Sequence, residues 1–397
     1  MIVLILMLCA FAVGTSEFIV VGVLPEVAGD LDVTLPTAGL LVTAYAVAVA
    51  VGGPILTVAA GRLPRRGLLI GLMALATAAA LLSSVSHTYV LLMGARMLGA
   101  LAQGLFLSVA SQVAMASVAP EKQTAAIAKV VNGIALSTVL GVPVGTLIGQ
   151  SYGWRASFLL VAALTLIGLL GVLVACPKVE HEREPTVRES VHVFGKRTIL
   201  LGLSTTILAF TGMITAFTYV APTLTEVTGF GGTWVTGMLL VYGVGTIAGS
   251  SLAGRVSPDR ITRVLPFTIG ALALVLLAHG LLMQGRVTSA ISLFLLGASA
   301  FMTGPLLHTY LMGQAGPASG LVASVNISAF NVAAALGPLL GGAVISGGWG
   351  LGFVGLVAAA PAVAGVLIAL ALRASHRFSA ERSRAPGTAV ASPSTVS

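Results

Sequence analysis

Charge is what this chain lacks most. Only 8% of its 397 residues are Asp, Glu, Lys or Arg, where an ordinary soluble domain carries roughly 25%. No water-soluble fold of this length covers its surface with so few charges, so the solvent around most of the chain must be lipid. Cysteine is scarce too. Cys9 and Cys176 both fall in apolar stretches, which excludes a disulfide framework and leaves them as packing residues. An intramembrane enzyme would need a catalytic constellation, and neither an HExxH zinc motif nor a serine nucleophile turn is read in the chain. No ATP-binding loop is visible, nothing points to a metal, nucleotide or redox cofactor, and no appended signalling domain suggests a receptor.

What is present is apolar. Hydrophobic residues make up 57% of the chain, and a helix needs roughly 20 of them in succession to cross a bilayer. Such runs fall at 2–25, 36–60, 67–86, 88–117, 122–150 and 154–176, then at 199–223, 231–254, 264–284, 287–313, 317–346 and 350–373. The expected fold is therefore an all-α membrane protein of twelve transmembrane helices. The first run lacks the basic leader of a signal peptide and reads as an uncleaved first helix.

A net charge of +8 would suggest nucleic acid in a soluble protein, but here the basic residues sit in short loops. With the N-terminus inside, the inner side receives Arg62, Arg65, Arg66, Lys122, Arg255, Arg260, Arg263, the stretch from Lys178 to Arg197, and Arg373, Arg377, Arg382 and Arg384. The outer side keeps Arg155 and Arg286, with Glu26, Asp30, Asp32 and Glu226. That asymmetry is the positive-inside pattern. It places both termini in the cytoplasm of a multi-pass chain whose partners are the bilayer and a small solute, not nucleic acid.

The long internal polar stretch, 177–198, separates a first unit at 1–176 from a second at 199–373. The segment 374–397, rich in Arg, Ser and Pro, reads as a disordered tail. The two units repeat each other. Gly141, Pro143 and Gly145, followed by Gly153, Trp154 and Phe158, match Gly337, Pro338 and Gly341, followed by Gly348, Trp349 and Phe353, at an offset of about 195 residues. Tyr45 and Tyr242 match at a similar offset, as do Gly61–Arg62 and Gly254–Arg255. A parallel repeat of six spans suits a transporter whose halves rock about a midplane site.

These residues resemble the major facilitator superfamily, and within it the twelve-span drug:proton antiporters. Gly61, Arg62, Leu63, Pro64, Arg65 and Arg66 stand where the family has its basic loop between spans 2 and 3. Gly61 replaces the family's usual aspartate, which puts that residue's gating contact in doubt. Arg96, with Gly99, Gln103 and Gly104, resembles the span 4 motif built on an intramembrane arginine. Gly141, Pro143 and Gly145 resemble the span 5 antiporter motif, and Gly14 to Phe18 looks like the start of the bacterial subgroup holding chloramphenicol, arabinose and purine-nucleoside exporters. The resemblance implies two six-helix bundles, with spans 1 and 4 both lining a central cavity.

Ionisable groups deep in a bilayer are costly and usually functional. Glu17 and Arg96 are the firm cases, each roughly 10–12 Å below the outer edge by helix rise. Glu17 either carries a proton, forms a standing ion pair with Arg96, or merely lines a wet cavity. Arg96 either steers Glu17 or holds helices together through backbone carbonyls. Lys129 lies within snorkelling reach of the inner edge, and His279 and His308 are lesser candidates for proton transfer. Gly141, Gly145 and Gly149 share one helix face with Pro143 among them, which suits a tight, bendable interface between halves; Gly337, Pro338 and Gly341 would act likewise. Phe18, Tyr45, Gln103, Asn132, Phe217, Tyr242 and Asn326 are the cavity candidates.

The expected function is proton-coupled efflux of a small amphiphilic compound, an antibiotic such as chloramphenicol, by a monomer in the bacterial cell membrane. Export of a sugar or purine nucleoside, or proton-coupled import, is the alternative.

Overall fold

The computed structural model describes residues 1–60, 63–119, 122–177, 191–316 and 319–384. Twelve helices among the described residues are long and apolar enough to cross a bilayer. They are α1 Ile2–Gly22, α2 Leu35–Gly53, α3 Arg65–Ser84, α4 Tyr89–Ala116, α5 Ala125–Tyr152, α6 Trp154–Ala175, α7 Arg197–Thr218, α8 Gly232–Ala253, α9 Ile261–Leu282, α10 Arg286–Ala315, α11 Leu321–Ser346 and α12 Leu351–Ala374. Each run marked in the sequence finds its helix. In lipid every backbone N–H and C=O must be bonded within its own segment, which leaves the helix as the way through for a single run. Leu159, Ile167, Leu170 and Val174 on α6 stay exposed, as side chains turned to acyl tails would be.

Packing repeats with the sequence. α1 lies on α5 and α6, α3 on α4 and α6, and α2 on α4. In the second half α7 lies on α11 and α12, α9 on α10 and α12, and α8 on α10. The two lists coincide when six is added to each helix number, so the fold is a parallel repeat of two six-helix bundles. The bundles meet where α2 packs on α11 and α5 packs on α8, a pair of contacts that the same repeat exchanges.

An even number of spans brings both ends of the chain to one face, here called the terminal face. The named contacts between bundles sit in the other half of the membrane. Thr43 Oγ1 donates to the Ala335 carbonyl at 2.9 Å. A methyl group on Gly243 would meet Val139 at 2.9 Å, and one on Gly39 would meet the Tyr219 hydroxyl at 2.4 Å. Tyr219, fully buried, donates to the Pro338 carbonyl at 2.9 Å. The bundles are thus closed on each other towards the opposite face.

Two local features shape α5. Pro143 has no N–H to offer the preceding turn, and the helix widens into a π turn over Ser137–Gly141, with Val142 N–H reaching the Ser137 carbonyl. At its end Gly153 takes a φ of 89°, a left-handed conformation that glycine adopts freely, and α6 begins at the next residue. Past α12 the last helix continues to Arg384. The tail expected to be disordered from residue 374 is therefore helical at first, its Ala and Arg residues being good helix formers. Gly61, Arg62 and most of the 177–198 stretch lie outside the described residues, as does the chain after Arg384.

Candidate functional site

The site begins with how closely α1 and α5 approach. A methyl on Gly133 would sit 2.2 Å from the Met7 carbonyl, one on Gly141 would meet Thr15 Oγ1 at 2.0 Å, and one on Gly145 would meet Ile19 at 2.3 Å. The small-residue stripe therefore seats α1, and with it residues 14 to 18. This corrects the expected partner: Gly141 and Gly145 face α1 of their own bundle and Gly149 meets Ser157 of α6 and Val23 just past α1, while α5 meets the other bundle at Val139 and Gln150. Gly337 and Gly341 pack in the same way on Ile214, Thr215 and Tyr219 at the end of α7. Helical spacing fixes which residues share a face, but not which neighbour that face meets.

On α4, Thr88 caps the start by accepting from Leu91 N–H at 3.3 Å, which sets Arg96 two turns inside. Arg96 is 2% exposed. Its Nη1 donates to the Ser16 carbonyl and its Nη2 to the Glu17 carbonyl, the latter at 2.9 Å. Helical carbonyls keep a second lone pair free for such donors. The guanidinium lies 4.3 Å from the Tyr45 ring centroid, within cation–π range. Arg96 and the Glu17 carboxylate do not come within ion-pair distance; Arg155–Asp30 is the ion pair among the described residues. The standing Glu17–Arg96 pair considered from the sequence is absent, because the planar fork of Arg96 is occupied by α1 backbone.

The Glu17 carboxylate instead accepts from Gln103 Nε2 at 2.5 Å, and Gln103 Oε1 accepts from the Tyr45 hydroxyl at 2.6 Å. Tyr45, Gln103 and Glu17 form a chain of neutral donors ending on one carboxylate. Opposite lies an aromatic wall from the second bundle. Phe18 meets Phe217 edge to face at 6.4 Å, and Phe217 stacks on Tyr242 at 4.5 Å. Between the two sides is a narrow crevice lined by Glu17, Phe18, Tyr45, Phe217, Thr218 and Ala334 among others. It is too small for a drug-sized solute, so the bundles must part to admit one.

Glu17, Arg96, Phe18, Tyr45, Gln103, Phe217 and Tyr242 therefore come together. Asn132 does not: it is exposed on α5. Asn326 belongs to a separate cluster, accepting from Thr206 Oγ1 at 2.8 Å and lying 3.4 Å from His308 Nδ1. His279 is buried against Ser292, 2.9 Å away, and Lys129 is exposed. Arg65 is buried at the start of α3, and Arg66 donates to the Leu173 carbonyl in the last turn of α6 at 2.9 Å. A cation suits that position, and it ties Arg66 to its own bundle; Arg62 lies outside the described residues. Sequence reasoning missed Phe158, 6.0 Å from Arg96, and Tyr219. It also passed over the string Gly149 to Gly153, which does match the Gly–x–Ser–x–Gly spacing. There the turn joins two helices rather than a strand to a helix, and Ser151 is exposed, so the hydrolase context of that motif is missing. Among the described residues no three His, Cys, Asp or Glu side chains gather as a metal site.

Similarity to known proteins follows the same lines. The family model described as Major Facilitator Superfamily matches residues 6–326. The inner membrane transport protein YdhP of Escherichia coli K12 is 37% identical, over 93% of this chain and 94% of that one. A chloramphenicol resistance protein of Streptomyces lividans is 34% identical, over 92% of this chain and 93% of its own length. Among solved structures, a D-xylose-proton symporter superposes with a TM-score of 0.77 at 16% identity, over 94% of this chain and 96% of that one, which speaks to the fold alone. With twelve spans, a parallel repeat and a family match over residues 6–326, the chain belongs to the major facilitator superfamily, a family of membrane transporters.

Proposed function

We propose that this transporter is a proton-coupled exporter of a small amphiphilic compound across the bacterial inner membrane, with the terminal face in the cytoplasm. The observation that carries the reading is the company Glu17 keeps. Its carboxylate is held by the neutral amide of Gln103 and not by Arg96, so a proton can come and go without breaking a salt link. The same side chain lines the crevice between the bundles, where substrate and proton would compete.

In this scheme residues 1–176 and 199–373 are the rocking bodies. Opening towards the cytoplasm separates Phe18 from the Phe217–Tyr242 pair and offers aromatic faces to a neutral or weakly charged solute. Deprotonated Glu17 accompanies the loaded state; protonation after opening outward favours release, and proton loss to the cytoplasm resets the cycle. The proton gradient supplies the free energy through its different affinity for the two facings. The similarity to the chloramphenicol resistance protein of Streptomyces lividans supports chloramphenicol as the first compound to try.

The test is uptake of labelled chloramphenicol into inverted vesicles carrying the wild type or Glu17→Gln, with and without a proton gradient. Gradient-driven accumulation by the wild type and none by Glu17→Gln is expected. Full accumulation by Glu17→Gln removes Glu17 from the coupling, and a nucleoside and pentose panel run in parallel identifies a metabolite cargo instead.

A further inference from the structure

A second carboxylate stands at the closed face, away from the crevice. Glu26 lies on the short helix Leu24–Asp30 that follows α1, and its carboxyl meets the side-chain amide of Gln150 in the last turn of α5. Two atoms there are buried without a hydrogen-bond partner: Glu26 Oε2 and Gln150 Oε1. Both are acceptors when the acid is ionised. A buried acceptor left unpaired forfeits its bonds to water and gains none in return. A carboxylic acid and a primary amide can instead form a closed pair, the amide N–H donating to one acid oxygen while the acid O–H donates to the amide oxygen. One added proton shared between the two orphan oxygens would satisfy both.

This pair sits on the seam between bundles. A methyl on Gly232, at the start of α8, would lie 3.2 Å from the Gln150 side chain, and the Leu24–Asp30 helix packs on Val220–Pro222 just beyond α7. We propose that Glu26 and Gln150 form a proton-binding latch, in which a proton taken from the opposite face completes the acid–amide pair and holds that face shut.

The charged and titratable groups around the latch are engaged elsewhere or turned outward. Asp30 is paired with Arg155, Tyr219 bonds the Pro338 carbonyl, and Tyr89 bonds the Thr37 carbonyl. Asp32, His87, Tyr152 and Glu226 are exposed, and neither the first turns of α2 nor Val220–Pro222 carries a titratable side chain. Burial pushes the Glu26 carboxyl above the usual carboxylate range, against smaller downward pulls from its own backbone N–H and from Gln150. The closed face therefore binds the proton more tightly than an open, hydrated one. Closure is favoured at acid pH and weakens as pH rises through the raised value. The latch deepens the proton-coupled reading and rests on it for its purpose: protons entering from outside would shut the outer face after release.

The experiment reads the face itself, in purified protein without cargo or gradient, so its outcome is separate from that of the transport assay. Spin labels at Thr34→Cys and Ser346→Cys, in a Cys9→Ala, Cys176→Ala background, flank the crevice between α2 and α11. Electron–electron double resonance from pH 5 to pH 8 should show the ratio of short to long distances in the wild type falling, by at most about tenfold per pH unit. E26Q, whose amide replaces the acid O–H with an N–H donor, should stay short at every pH. Gln150→Leu, lacking the acceptor, should move the midpoint to lower pH. An E26Q curve that follows the wild type overturns the latch, as does a wild-type distance that ignores pH.

Discussion

The Arg96 guanidinium donates to the main-chain carbonyl of Glu17 at 2.9 Å and leaves the carboxylate of that same residue to Gln103. Arg96 thus positions the helix that carries the acid, while the acid keeps its freedom to titrate. A charge buried in the bilayer can serve a neighbour through geometry as well as through its field.

Arg96→Ala should destabilise the folded protein by about 3 kcal/mol, from two lost hydrogen bonds to a charged donor. Arg96→Lys should recover less than half of this, because an ammonium cannot span two carbonyls as a planar fork does. Thermal unfolding in detergent checks both. If Arg96→Lys matches the wild type, the forked contact is unimportant.

Gln103→Leu should cut gradient-driven transport roughly tenfold, the worth of one hydrogen bond of about 1.4 kcal/mol to a charged acceptor. Tyr45→Phe removes only the bond that orients the Gln103 amide and should cost less. Initial rates in vesicles, normalised to protein content, give the ranking; a larger loss in Tyr45→Phe would put the phenol rather than the amide at the centre.

Gly133→Ala should destabilise by about 1–3 kcal/mol through overpacking, since the added methyl would meet backbone atoms of Met7 and Phe11 rather than a yielding side chain. Gly71→Ala on α3, with nothing within 4 Å of the new methyl, should instead be neutral or stabilise by about 0.5–1 kcal/mol. Paired melting curves decide this, and equal effects would mean that α1 and α5 are not closely seated.

Asp30 is held below the usual aspartate range, first by the hydrogen bond from Arg155 and then by that from the Trp154 indole. Its contribution to stability is present above the ordinary value of about 3.9 and fades as pH falls through the depressed one. Melting temperatures of the wild type and Asp30→Asn should therefore differ at pH 7 and converge towards pH 3. The gap should be small, because the pair is largely solvated.

Much of the architecture was legible in the residues. Twelve apolar runs and a repeat at one offset are properties of order along the chain, and the bilayer leaves little choice in how such runs fold. Glu17 and Arg96 stood out because ionisable side chains at that depth are rare. The choice Arg96 makes between carbonyl and carboxylate was not legible, since it depends on the separation and rotation of α1 and α4. Glycine periodicity marked a face of α5 but not that α1 would occupy it. Asn132, exposed on α5, takes no part in the contacts around Glu17. Glu26 and Gln150, 124 positions apart, meet only because α1 and α5 end side by side.

The widened turn at Ser137–Gly141 fixes more than a bend. Each residue of a regular helix advances the side-chain direction by about 100°, and a π turn absorbs one residue beyond that count. A one-residue deletion there would leave the flanks in phase, whereas tightening the coil to ordinary pitch with every residue kept would swing everything from Val142 to Tyr152 round by about that angle. Ile19 would then face a bulky neighbour in place of Gly145, and Gln150 would swing away from Glu26. The wide turn, by taking up one surplus residue, keeps both ends of the helix in phase with their partners.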